Sequence, residues 1–148
     1  PLPSHWLDAL PVRVEVDGLV LQRKREAHLT LLDRAATARV RSRCEESAVR
    51  AAFQSQAWSV SDTGERWLIG KPLEAGRMAY SIIAIARAPG LAAFRRALVR
   101  RCGVELPEVP AHVTLHVAGK PTGIGLPDFE AFERLRLRRL DDGPGDQS

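Results

Sequence analysis

Residues 110–118 read Pro110-Ala111-His112-Val113-Thr114-Leu115-His116-Val117-Ala118. Val113, Leu115 and Val117 alternate with His112, Thr114 and His116. That is the two-residue period of a strand with one face in a core. The pattern His-x-Thr-x occurs once more, as His28-Leu29-Thr30-Leu31 inside the apolar run 27–32. On a strand, side chains at i and i+2 share a face. Each tetrad therefore sets an imidazole beside a hydroxyl, while Leu29 and Leu31, or Val113 and Leu115, anchor the opposite face.

Working outward, Val12, Val14 and Val16 alternate with Arg13, Glu15 and Asp17, and Asp17-Gly18 predicts a tight turn into Leu19-Val20-Leu21. Residues 35–57 lack Gly and Pro and read as one long helix, with Val40, Cys44, Ala48, Ala51 and Ala52 close to a helical stripe. Three strand-like stretches follow: 58–61, then 65–70 after a turn at Asp62-Thr63-Gly64, then the strongly apolar 78–86. Pro89 opens a second helix whose apolar face runs through Leu91, Phe94, Leu98 and Val99 to Cys102-Gly103. The proline-rich link 106–110 closes that unit. Residues 119–127 are a Gly/Pro-rich loop, and 132–140 read as a final strand. The order of strands and two long helices predicts an α+β domain over residues 11–140, with 1–10 as a leader and 141–148 as a disordered tail.

Composition sets the class. Of 148 residues, 45% are hydrophobic and 27% charged, which excludes a disordered chain. No apolar run approaches a membrane span, and no secretory signal is visible. Cys44 and Cys102 are too few for a disulfide framework and read as two reduced thiols of a cytoplasmic protein. The net charge of +4 and pI of 9.7 lean towards an anionic partner.

Four His and five Thr in the chain make two such pairings an accident of about one chain in a hundred. Two imidazoles suit phosphodiester chemistry. One neutral ring removes a proton from the nucleophile and one protonated ring delivers a proton to the leaving oxygen, both near neutral pH and without a metal or other cofactor. The two threonine hydroxyls can donate to the non-bridging phosphate oxygens, whose charge grows in the transition state.

With the Pro110-Ala111 lead-in to His112 and the strand/helix order, the paired tetrads resemble the 2H phosphoesterase superfamily, which includes RNA 2′,3′-cyclic phosphodiesterases. The resemblance spans residues 10–140, and its specific part is the tetrads. It implies two pseudo-symmetric lobes of antiparallel strands with one long helix each, around a central groove. It also implies His28 and His112 as the acid/base pair, Thr30 and Thr114 as phosphate ligands, an RNA or nucleotide substrate, and a monomer.

Further candidates surround this set. His116 can meet a substrate at the groove rim; if the strand is regular it lies roughly 13 Å from His112 on the same face, too far to share an ion. Lys120 can meet a phosphate from the loop, and Tyr80, Trp58 or Trp67 can stack on a base. Arg77 and Arg25 can steer RNA. Two other readings compete: an RNA- or nucleotide-binding module of the same fold without turnover, and a scaffold that uses the basic helix 94–101 for protein contacts.

Overall fold

The computed structural model describes residues 1–140; the expected tail, 141–148, lies outside them. The fold is α+β. Six antiparallel strands form one sheet in the order β1-β2-β5-β4-β3-β6, from β1 (Arg13–Val16), β2 (Leu19–Arg23), β3 (Ser61–Pro72), β4 (Met78–Arg87), β5 (His112–Ala118) and β6 (Arg136–Arg139). Five helices accompany it: α1 (His5–Asp8), α2 (Arg34–Arg41), α3 (Glu46–Gln54), α4 (Pro89–Cys102) and α5 (Phe129–Leu135).

The first hairpin forms as expected. Asp17 (φ 51°) and Gly18 (φ 79°) both take left-handed backbone, and Val16 pairs with Leu19 across a two-residue loop that follows the sheet's twist. Helix α4 also follows its sequence signals, from Pro89 in the first turn to Gly103 in the left-handed conformation beyond its end. Strand β4, at the sheet's centre, is buried on both faces. Ile82, Ala84 and Ala86 pack with Val113, Leu115, Leu21, Val14, Trp6 and Leu7. On the other face Ile83 packs with Ile69, Ile124, Leu126, Phe132 and Leu135. Residues 1–10 are thus not a detached leader: Trp6 and Leu7 complete the first core, and the Leu2 amide donates to the Ala27 carbonyl at 2.7 Å.

Several elements depart from the sequence reading. The expected helix 35–57 is two helices, α2 and α3, interrupted at 42–45, where the Ser42 hydroxyl turns back to the Arg39 carbonyl at 2.7 Å and Glu45 is extended. Of the expected strand 58–61 only Ser61 is strand: 58–60 form no strand, and Ser61 opens β3, which takes in all of 65–70. The Asp62-Thr63-Gly64 signal is an irregularity within its pairing to β4, and the Thr63 hydroxyl donates to the Ile85 carbonyl. Residues 129–135 are helix, which takes the first four residues, 132–135, of the expected final strand. Asp128 caps them by accepting from the Ala131 amide at 2.7 Å, so only 136–139 remain for β6.

The cysteines are not reduced thiols. Cys44 and Cys102 form a disulfide that joins the α2–α3 connection to the end of α4. They are 58 residues apart, and nothing local in the sequence announces that α2, α3 and α4 share one core through Val40, Ala52, Phe94 and Leu98. No helix among the described residues is long and apolar enough to cross a membrane.

Candidate active site

The two tetrads meet. An isolated antiparallel bridge pairs Leu29 with Val113. A regular antiparallel register through this bridge would set Thr30 opposite His112 and His28 opposite Thr114; the bridge is isolated, and residues 28 and 30 form no ladder pair.

The tetrads are held differently. The His112 tetrad belongs to β5, flanked by β2 and β4, with Val113 and Leu115 fully buried. The His28 tetrad is not the strand that residues 27–32 suggested. Strand β2 stops at Arg23, and the Lys24 amide still reaches the Leu115 carbonyl at 2.8 Å. Pairing resumes only at Leu29, so five residues on one side span two on the other. The charged Arg25 and Glu26 loop outward as an enlarged bulge.

Thr30, His112 and Thr114 line one cavity of about 110 Å³, together with Asp33, Arg95 and Pro110 and the loop residues Thr122, Ile124, Gly125 and Leu126. His28 does not line it. Its ring is half exposed, its Nε2 lies 3.2 Å from a Glu26 carboxylate oxygen, and it faces open grooves that it shares with Thr30 on one side and with Lys24 and Arg25 on the other. The cavity and the groove touch at Thr30.

The tautomer of His112 follows from its partner. Its Nδ1 lies 2.9 Å from the Pro110 carbonyl, which only accepts, so Nδ1 carries the proton and Nε2 keeps its lone pair in the neutral ring. Desolvation of the half-buried ring pushes its pKa below 6.5, against the opposing pull of the Pro110 bond. Gly123 closes on the neighbouring hydroxyl. A Cβ added there would lie 3.2 Å from Thr114 Cγ2 and 3.3 Å from its Oγ1, and the backbone holds φ at +81°.

His116 is not at a groove rim. The β4–β5 register shifts between Ile82 and Ile83, which passes over Leu115. One extra residue reverses the alternation, so Leu115 and His116 are both fully buried. The His116 Nε2–H donates to the Pro11 carbonyl at 2.9 Å, and its pKa is lowered by desolvation, with the Pro11 bond raising it and Arg23 lowering it. The expected 13 Å same-face spacing from His112 thus fails. Lys120 is exposed beside Pro72, Glu74 and Arg77, away from the cavity, which leaves Arg77 there as well. Tyr80 packs on the sheet against Gly70 and the first core. Trp58 stacks on Phe53 with its indole N–H on the Phe53 carbonyl, and Trp67 packs on Phe132 under Arg136. None of these aromatic rings lines the cavity.

Two cavity residues escaped the sequence reading. Asp33 caps α2 through the Ala36 amide at 2.7 Å. Arg95 is buried in α4, and a signal for it existed: it lies four residues from Leu91 and next to Phe94, on the helix's apolar face. Among the described residues, no group of three His, Cys, Asp or Glu side chains converges to hold a metal ion. The chain matches no protein-family model, no curated protein and no solved structure.

Proposed function

We propose that this protein is a 2H-type phosphodiesterase that acts on RNA or nucleotide phosphodiesters, hydrolysing 2′,3′-cyclic phosphate ends by two-histidine acid/base catalysis without a metal. The observation that carries this reading is the Leu29–Val113 bridge. It brings two stretches 84 residues apart into antiparallel contact, so that the segments carrying the four side chains this chemistry needs lie side by side. The two-lobed plan around a groove that the resemblance implies belongs to the same proposal; the strands themselves form one six-stranded sheet.

In the proposed reaction, His112 is the general base. Its Nε2 lone pair takes a proton from water as the water oxygen attacks phosphorus, and its low pKa keeps the ring neutral at pH 7. His28, the remaining imidazole, protonates the ribose oxygen whose bond to phosphorus breaks. The product is a ring-opened phosphate monoester. Thr30 and Thr114 donate to the non-bridging oxygens. A cavity of about 110 Å³ suits a phosphoryl group, and the nucleoside would extend along the open groove past His28, where Lys24 and Arg25 supply positive charge.

Cytoplasmic location, expected from two isolated cysteines, is at odds with the Cys44–Cys102 disulfide, since cytosolic reducing systems keep such bonds open. An oxidising compartment suits the chain better.

One observation favours a second reading. His28 stands outside the cavity that the other three residues line, as it would in a module that binds a phosphorylated ligand without turning it over. Incubation of the EDTA-treated protein with 2′,3′-cyclic nucleotides, followed by phosphorus NMR, separates the two. The enzyme yields a monoester signal that disappears in both His28→Ala and His112→Ala. A binder retains affinity in both variants, and its parent gives no product.

A further inference from the structure

The guanidinium of Arg95 occupies an unusual position. The residue is 5% exposed, yet no Asp or Glu among the described residues forms an ion pair with it. One terminal nitrogen donates to the Leu31 carbonyl at 2.8 Å, the other donates to the Pro107 carbonyl at 3.0 Å, and Nε has no partner. Leu31 directly follows Thr30 in the first tetrad, and Pro107 lies in the link 106–110 that leads to His112. A single side chain on α4 therefore ties down the backbone of both segments that form the cavity, while itself lining that cavity.

A buried cation without a direct ion pair is costly, and the cost falls when an anion enters beside it. Desolvation lowers the Arg95 pKa, and Asp33 acts against this from the cavity wall, although its Oδ1 is engaged by the Ala36 amide. The guanidinium stays charged throughout the accessible pH range.

We propose that Arg95 is the positioning and charge-selecting residue of this cavity: it clamps the two tetrad segments in register and supplies the fixed positive charge that makes the cavity a site for a compact oxyanion of the phosphate class. The inference rests on the phosphodiesterase reading for its role in turnover, but its binding part is testable alone.

Inorganic phosphate is the probe. Titrated into the intact protein and followed by nitrogen-15 NMR, it moves the Arg95 Nε–H resonance, identified by its loss in Arg95→Lys, along a saturable curve. Arg95→Met, with its fold checked by thermal melting, weakens phosphate binding at least tenfold. Arg95→Lys recovers only part of that loss, because an ammonium keeps the charge but does not span two carbonyls in fixed geometry. Should Arg95→Met not fold, the resonance in the parent decides: no movement at saturating phosphate overturns the proposal. Unchanged phosphate affinity in a folded Arg95→Met also overturns it. Phosphate binding that moves Arg95 in a protein without turnover sinks the enzymatic reading and sustains this one. Turnover with parental KM and phosphate affinity in both Arg95 variants does the reverse.

Discussion

The two His-x-Thr-x tetrads differ by one residue in four, Leu29 against Val113, yet the chain holds them in opposite ways. The second lies in β5, hydrogen-bonded on both sides, its leucine and valine sealed in the core and its histidine locked into one tautomer by Pro110. The first touches the sheet through one bridge, with His28 half exposed and Glu26 as its side-chain partner. Identical local chemistry thus produces a fixed group and an adjustable one. A fixed imidazole of lowered pKa suits a base, whereas an adjustable imidazole at the mouth of a groove suits the acid that must follow a departing oxygen.

The largest effect expected to sharpen this contrast comes from the histidines. His112→Ala should cost about 10³-fold in kcat on a 2′,3′-cyclic nucleotide and His28→Ala about 10²- to 10³-fold, within the usual range for a lost acid or base. Full activity in His28→Ala would break the pairing and leave the binding reading. The threonines come next: Thr114→Val and Thr30→Val should each lower kcat by about 10²-fold with little change in melting temperature, as for a lost transition-state donor. Gly123→Ala should lower both kcat and melting temperature, since the added methyl meets Thr114 and the backbone there is left-handed.

The disulfide bears on the less anchored tetrad, because it ties the helices whose core holds Leu31 and Leu32. Its loss in the Cys44→Ser/Cys102→Ser pair should cost about 4 kcal/mol by the loop-entropy relation for a 58-residue loop. Hydrogen exchange should speed up first in 28–33, not in β5. Equal acceleration in both would show the tetrads to be equally anchored.

The smallest effect concerns pH. His112 and His116 both have folded pKa values below 6.5, so the unfolded chain binds more protons and stability must fall as pH drops through and below that value. Chemical denaturation between pH 5 and 8 should show this slope, reduced in His116→Gln. The acid limb of kcat/KM should likewise sit below pH 6.5 and stay there in His116→Gln, because that ring lies on the other face of the sheet.

Much of the site was legible because the signals are local. A tetrad's shared face, the Asp17-Gly18 turn and the Pro89–Gly103 brackets of α4 each depend on backbone preferences within a few residues. The misreadings have a common cause. At His116 one bulge residue reversed the inside and outside of a strand, and at 132–135 a helix capped by Asp128 replaced the start of the expected final strand. A period-two pattern contains no record of where a partner strand inserts an extra residue.

The amino-acid sequence alone determined that this chain carries two imidazole–hydroxyl pairs, each backed by apolar side chains, in an α+β domain. Only the tertiary structure decided that the two segments pair at Leu29 and Val113, that Arg95 joins their backbones, that Cys44 reaches Cys102, and that His116 turns away. The physical reason is range. Propensity and periodicity act over a few residues, whereas register, disulfide pairing and the burial of a cation depend on segments dozens of residues apart that meet only when the core closes.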